Sequence, residues 1–267
     1  MSSVVDRGAA RSRWNWLLFS FARREVLNRY AGSVTGLAWS LLHPLMQLAV
    51  YAFVFNQVFR ISVPPEFSTA SYTAFVAVAL WPWIMFSEGL QRAMASVAAN
   101  AGLIRKVAFP HTLVVYSAIL ASCAVHGVGF IAVLVVLKAV GQPIHLAALP
   151  LAIVLLVPYM LFATGIGALL AALQTLLRDI EHAITIVLTI LFYASPILYS
   201  ASLVPQSLRP WLAANPVAWF SERLRDVLLH GDGLSAGDAA MTVAAIAVFV
   251  AGRWVFLRLS PHFEDFL

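Results

Sequence analysis

The sequence predicts an all-α integral membrane protein with six transmembrane helices. Of its 267 residues, 61% are hydrophobic and only 11% are charged, and the mean hydropathy is +0.87. A soluble domain carries roughly 25% charged residues, so a water-exposed fold of this composition would leave large apolar patches uncovered. Apolar runs that approach or exceed the roughly 20 residues needed to cross a bilayer recur along the chain.

Residues 1–35 predict an N-terminal amphipathic helix that lies in the headgroup region. Its apolar side chains at helical spacing are Trp14, Leu17, Leu18, Phe21 and Leu27, interspersed with Arg13, Arg23, Arg24 and Arg29. Such a helix keeps its arginines in water and its rings at the acyl boundary. Packing on a partner protein is the alternative. No small-residue cleavage site follows a short apolar core, so we expect the segment to be retained.

Residues 36–267 predict a single transmembrane domain. The six predicted spans are about Gly36 to Phe59, Tyr72 to Phe86, Thr112 to Leu137, Leu146 to Leu173, Ala183 to Tyr199, and Ala236 to Phe256. The second and fifth are short for a crossing of about 20 residues. With both termini inside, 12 of the 17 Lys and Arg residues flank the spans on the cytoplasmic side, which is the orientation favoured by the positive-inside rule.

Two connections are longer than simple loops. On the cytoplasmic side, Met94 to Phe109 predicts a helix of about residues 94–110, ended by Pro110. On the outer side, about residues 200–235 mix prolines, tryptophans and arginines. That segment is too apolar for a solvated loop and too broken for one span, so we expect re-entrant or interfacial helices before the last span.

The sequence lacks the motifs of common enzymes. The only lysines, Lys106 and Lys138, have neither the glycines before them nor the hydroxyl after them that a phosphate-binding loop needs. No two-histidine helical pair encloses a glutamate, so we predict no metal site. The carboxylates Glu88, Asp179 and Glu181 are placed near span ends. A membrane-embedded glycosyl or acyl transferase using Glu88, Glu181 or His182 is the enzymatic alternative.

Four segments, in this order along the chain, carry a resemblance. They are Arg23-Arg24-Glu25-Val26-Leu27-Asn28-Arg29-Tyr30 with Gly36-Leu37-Ala38-Trp39 and His43-Pro44; Asn100 through Pro110; Arg178-Asp179-Ile180 with Ser195-Pro196-Ile197-Leu198-Tyr199; and Asn215-Pro216 leading to Arg223 and Arg225. The set resembles the membrane subunit of ABC exporters for lipid-linked polysaccharides, the type-2 ABC export permeases. The O-antigen and teichoic-acid type is more similar than the capsule type.

The resemblance implies a homodimer that works with two nucleotide-binding ATPase subunits. Those subunits would bind ATP and Mg, so this chain would carry no cofactor and no ATPase site. The cargo would be an undecaprenyl-diphosphate-linked glycan moved outward across the bacterial inner membrane. A permease for another lipid or a drug is the alternative within the same class.

The resemblance also assigns a coupling role to the cytoplasmic helix. Leu103 and Ile104 would anchor it on the ATPase, and Arg105 and Lys106 would orient it. A basic cluster touching anionic lipid is the alternative interpretation of the same residues.

Two polar and aromatic stripes are candidate channel linings. The first span carries His43, Gln47, Tyr51, Phe55 and Phe59 at a spacing of four, and the fifth carries Thr185, Thr189 and Tyr193. Residues four apart share one side of a helix. Hydroxyls and amides can exchange hydrogen bonds with sugars, and rings can stack on pyranose faces. Helix packing is the alternative, because small polar residues and aromatics also serve there.

Overall fold

The structure of the chain is a computed structural model that describes residues 2–29, 36, 38–61, 63–107 and 109–266. Side chains are described from Trp14 onward, apart from residues 264 and 265. This part of the chain is helical and contains no strand. Its α-helices are α1 (Ser2–Arg29), α2 (Ala38–Tyr51), α3 (Tyr72–Ala99), α4 (Ala101–Ile104), α5 (Thr112–Ala139), α6 (Leu149–Leu176), α7 (Ile180–Ala194), α8 (Arg209–Ala213), α9 (Pro216–Arg225), α10 (Ala236–Leu259) and α11 (Phe263–Phe266).

Shorter helical turns extend or connect these helices. Two π-helices cover Ala52–Val58 and Asp226–His230, and 3-10 turns cover Pro65–Phe67, Leu146–Ala148, Ala201–Leu203, Gln206–Leu208 and Ser260–His262. The segment between α7 and α10 is therefore a series of short helices, as expected for residues 200–235.

Five helices of the described chain are long and apolar enough to cross a membrane. They are Ala38–Val58, Tyr72–Ala99, Thr112–Ala139, Leu146–Leu176 and Ala236–His262. The multi-pass membrane architecture is thus confirmed. The predicted fifth span corresponds to α7, which has 15 residues and is shorter than a full crossing of about 20. The count of six spans therefore stays a prediction.

The helix of the second predicted span ends later in the structure than the sequence predicts. Instead of stopping near Phe86, α3 continues without interruption for 28 residues, and Pro82 lies inside it. Met94 to Ala99, expected in a separate cytoplasmic helix, are its last turns, and Asn100 follows as its C-cap. The helix that remains for the coupling segment is α4, a single turn of four residues.

α3 is the central helix. Of its most apolar 18-residue window, 83% is buried, and α5, α6 and α9 pack around it. α1 packs on α5, and α10 packs on α6. In contrast, only 11% of the corresponding window in Ala38–Val58 and 17% of that in Ala236–His262 are buried. These peripheral helices present apolar side chains outward, where lipid or another chain must cover them.

Two glycines bring α6 and α10 into backbone contact. A Cβ atom added to Gly252 would collide with the carbonyl of Gly165, and one added to Gly165 would lie 2.6 Å from the Cα of Phe249. Small residues permit this close approach, which is a common means of joining membrane helices.

The α6–α10 contact gives the first test. Gly252→Val should destabilise the chain by about 1–3 kcal/mol, because the added methyls force the helices apart. Gly127→Val in α5 is the matched control, since no atom beyond its own stretch of helix lies within 4 Å of a Cβ built there. Thermal unfolding of the detergent-purified chain measures both. Equal melting temperatures for the two variants would contradict the proposed contact.

Candidate functional site

The two predicted stripes meet in one cleft. Gln47 and Tyr51 of α2 face Thr185, Thr189 and Tyr193 of α7 across a cavity of about 260 Å³. The Tyr51 ring stacks on Phe192 of α7, with ring centroids 5.7 Å apart and an interplanar angle of 27°. A pattern seen separately in two helices of the sequence is thus one surface in the structure.

Hydrogen bonds within the stripes determine what the cleft offers a ligand. The amide nitrogen of Gln47 donates to the Tyr51 hydroxyl over 3.0 Å. Thr185 and Thr189 each donate a hydroxyl proton to the backbone carbonyl four residues earlier, over 3.0 and 2.9 Å. Since those protons are used, the threonine oxygens are left mainly as acceptors. A ligand rich in hydroxyl donors would complement them.

The third wall of the cleft comes from α3 and was missed from the sequence. Trp83, Ser87 and Gln91 line it at a spacing of four, and the Trp83 ring centroid lies 5.6 Å from that of Phe192. The same periodicity was the signal that could have found them. It was overlooked because the second span was ended at Phe86.

The remaining residues of the first stripe do not line this cleft. His43 and Phe59 are exposed at opposite ends of the helix, and Phe55 is half-buried. Tyr51, Phe55 and Phe59 form a row of edge-to-face rings with centroids 6.4 and 5.7 Å apart. This row runs along the π-helix Ala52–Val58. Such π-helical segments are rare and are frequent at functional sites.

Exposed apolar faces flank the cleft. Met46, Val50 and Phe53 of α2 are 57%, 55% and 62% exposed, and Ile186 and Ile190 of α7 are 63% and 62% exposed. An apolar surface on this scale is normally covered by lipid or by another protein chain.

Arg225 anchors the segment that follows α7. It is fully buried, and its guanidinium donates to the carbonyls of Pro196 (2.6 Å), Ile197 (2.7 Å) and Phe75 (3.1 Å). It also pairs with Glu222 at 2.6 Å. Because the chain leaves the helical path after α7, the carbonyls of Pro196 and Ile197 lie outside a helix, and the arginine satisfies them. Its bond to the carbonyl of Phe75 ties this break to the first turn of α3.

Burial governs the ionisation of this pair. Desolvation lowers the pKa of the Arg225 guanidinium, an effect opposed by Glu222. Desolvation likewise raises the pKa of the Glu222 carboxyl in spite of the arginine beside it. The guanidinium also lies over the Phe75 ring, 3.7 Å from its centroid, which partly replaces the lost hydration.

Further contacts tie the same segment to α10 and α9. Arg223 forms a buried ion pair with Asp238 of α10 at 2.8 Å, and the Asp238 carboxylate also accepts the backbone N–H of Ser235. Asn215 caps α9 and donates to the Ser195 hydroxyl over 2.8 Å. In the sequence, Arg223 and Arg225 counted as charges and as part of the fourth resemblance segment, but their anchoring roles were not predicted.

Glu88 is not near the end of its helix, contrary to the sequence-based placement. It lies well inside α3 and pairs with Arg29 (3.0 Å), Arg92 (2.7 Å) and His126 (2.6 Å). The Arg29 side chain is only 2% exposed. This cluster joins the end of α1 to α3 and α5, and it leaves both carboxylate oxygens of Glu88 with partners.

α1 packs against the chain itself along one face. Ala22 is buried, whereas Trp16 and Phe19 are 68% and 65% exposed. The exposed side of this helix therefore carries large apolar rings, as the predicted headgroup location requires. That location stays a prediction.

The predicted coupling residues fall into two groups. Ile104 is 2% exposed and is buried within this chain, and Leu103 is half-buried. Arg105 and Lys106 are exposed beside a shallow cavity of about 580 Å³. The exposed charges can contact a partner, whereas the Ile104 side chain is buried in the core of this chain.

One group of described residues has the composition of a metal site. The ligand atoms of Asp226, His230 and Asp232 lie within 4.8 Å of one another. However, His230 stacks on Phe67 with centroids 4.2 Å apart, and its Nε2 is bonded to the Glu66 carbonyl over 2.6 Å. These contacts explain its position as a link to the turn at Pro65–Phe67.

Comparison with known proteins identifies the family. The model of the ABC-2 type transporter family matches residues 17–229. The chain belongs to the ABC-2 type transporter family.

Its curated relatives include polysaccharide permeases. An O-antigen export system permease protein from Klebsiella pneumoniae is 27% identical over 255 residues, covering 94% of this chain and 95% of the relative. One from Myxococcus xanthus is 28% identical over 259 residues, covering 95% and 96%. A polysialic acid transport protein from Escherichia coli is 22% identical over 222 residues, covering 82% and 84%. The resemblance to polysaccharide-exporting permeases is thereby confirmed.

The anchoring by Arg225 can be tested in this family member directly. Arg225→Met should destabilise the chain by about 3 kcal/mol or more, because it leaves buried carbonyls and Glu222 without their partner. Arg209→Met is the matched control, since Arg209 is exposed in the same segment. Thermal unfolding and trypsin sensitivity of the purified chain report the difference. An Arg225→Met protein as stable as the control would show that the anchor is dispensable.

Proposed function

We propose that this chain is the membrane-spanning subunit of an ATP-driven exporter that moves a lipid-linked, O-antigen-like polysaccharide across the bacterial inner membrane. The observation that carries the proposal is the meeting of the two stripes in one polar and aromatic cleft. The names of the relatives, O-antigen export permeases among them, support the same cargo.

The chemistry of the cleft suits a saccharide. Threonine oxygens that have already donated their protons accept hydrogen bonds from sugar hydroxyls. The rings of Tyr51 and Tyr193 offer faces for the apolar sides of pyranoses, whereas Trp83 is only 6% exposed and contacts Phe192. Ring stacking tolerates different sugars, so one cleft can bind successive units of a long polymer without recognising each sugar individually.

A second copy of the chain would complete the channel. The cleft is open on one side, and the exposed apolar faces of α2 and α7 flank it. A two-fold axis beside these faces would bury them against their symmetry mates and bring two clefts together. The translocation channel would then lie at the homodimer interface, with the undecaprenyl-diphosphate-linked glycan inside it.

Energy would come from two partner ATPase subunits that bind ATP and Mg. Neither Lys106 nor Lys138 stands in a phosphate-binding context, which supports a transport subunit without its own ATPase site. Arg105 and Lys106 would contact the partner, since they are the exposed members of the coupling segment. In the topology that the positive-inside rule favours, both termini are cytoplasmic.

The cleft gives the first functional test. Tyr51→Ala with Tyr193→Ala should weaken export of long glycan about five-fold per lost ring, if each stacking contact contributes about 1 kcal/mol. The corresponding phenylalanine variants keep the rings and should retain most export. Surface glycan in cells with equal permease levels is the measurement. Full export by the double alanine variant would show that the cleft does not lie on the export pathway.

The coupling segment gives a further test. Arg105→Glu with Lys106→Glu should abolish export and reduce co-purification of the ATPase, because the orienting charge is reversed. Arg178→Glu, another exposed arginine on the same predicted side, is the control. Ile104→Asp should instead lower the amount of folded permease, because that side chain is buried. Normal co-purification of the double glutamate variant would place the ATPase contact elsewhere.

A further inference from the structure

A second, larger cavity begins at the end of the cleft. It has a volume of about 980 Å³ and is walled by the end of α7 and by the segment that follows, including Leu191, Tyr193, Leu203, Leu208 and Trp211. Tyr193 lines both cavities. We call this second cavity the apolar groove. The cleft and the apolar groove therefore adjoin at one side chain.

The chemistry changes across Tyr193. On the cleft side lie two amides and several hydroxyls, whereas leucine, valine, alanine and proline make most of the walls of the apolar groove. Two of the few polar side chains there, Tyr199 and Asn215, already have partners. Tyr199 donates its hydroxyl proton to the Tyr193 carbonyl over 3.0 Å, and Asn215 donates to Ser195 over 2.8 Å. A saccharide would find few partners for its hydroxyls in the apolar groove, so its walls favour a hydrocarbon.

The apolar groove is open, and its rim is apolar as well. Leu203, Leu208 and Trp211 are 64%, 52% and 78% exposed. Burying such side chains against hydrocarbon is favourable by the area removed from water. The position of the groove, immediately beyond the cleft, suits an apolar chain that is covalently joined to whatever occupies the cleft.

We propose that the apolar groove holds the hydrocarbon chain of the lipid-linked substrate while its first sugars occupy the adjoining cleft. This inference rests on the proposed function and names the second half of the ligand, a long apolar chain joined through phosphate to a glycan. Tyr193 marks the position of the linkage between the two halves. The chain would remain in contact with apolar protein surface as the sugars pass.

The test uses a photoreactive benzoylphenylalanine in place of Trp211 in the full chain, produced with its ATPase partner in cells that make the glycan. After irradiation, the permease is purified and probed for attached glycan. Mild acid then cleaves the phosphate linkage between sugar and lipid. An adduct formed through the hydrocarbon chain should lose its glycan signal in acid, whereas one formed through a sugar should keep it.

Two further positions make the result interpretable. Leu234 is 75% exposed in the same connection and does not line the apolar groove, so it is the matched control. Tyr51 lies in the cleft and reports on the proposed function itself. We expect a glycan-bearing adduct at 211 several times stronger than at 234, and its glycan lost in acid.

Each other outcome overturns the proposal in a different way. An acid-stable adduct at 211 would mean that sugar fills the apolar groove. A permease dimer without glycan at 211 would mean that a second copy covers it. No adduct at 211 above that at 234, with an adduct at 51, would refute the apolar groove alone. No adduct at 51 or 211 during active export would refute the proposed function together with it.

Discussion

The architecture around the candidate site depends on the burial of one guanidinium. Arg225 is fully buried and satisfies three carbonyls from two separate stretches of chain, the break after α7 and the first turn of α3. A buried charge persists only where partners compensate its lost hydration, so the position of each of these stretches is fixed relative to the others. α7 can therefore stop after 15 residues and still be held against α3, which keeps Thr185, Thr189 and Tyr193 opposite α2.

A cluster of charged side chains around the half-buried Glu88 organises the other half of α3. Glu88 contacts Arg29, Arg92 and His126, and these contacts join α1 and α5 to α3. The same helix carries the cleft residues Trp83, Ser87 and Gln91. Ser87, which lines the cleft, is adjacent to Glu88 in sequence. A movement of α1 or α5 would therefore reach the cleft through one rigid helix. The exposed Arg105 and Lys106 follow directly after α3 and the single turn of α4. The expected ATPase contact is therefore connected in sequence to the helix that lines the cleft.

Local patterns in the sequence were sufficient for most helices and for the part of each stripe that lines the cleft, while the role of the stripes in transport stays a prediction. Hydropathy found the long helices because apolar composition is a property of each segment alone, and a spacing of four found Gln47, Tyr51, Thr185 and Thr189 because it reports one face of one helix. The length of α3 was missed because Glu88 and Arg92 resemble a span end until Arg29, remote in sequence, is brought beside them. For the same reason the burial of Arg225 and Ile104 was not predictable, since both depend on tertiary partners.

The central claim is that the cleft between α2, α3 and α7 is the path of the glycan. Its most direct test is the accessibility of a thiol in the cleft, in a chain whose single native cysteine has been replaced by Cys123→Ala. Tyr193→Cys is compared with Val128→Cys, which is 68% exposed on α5 away from the cleft. The account predicts that a membrane-impermeant, polar thiol reagent labels position 193 during export, that bound glycan slows the labelling, and that position 128 stays unlabelled. Equal labelling at the two positions, or none at 193 through active export, would contradict it.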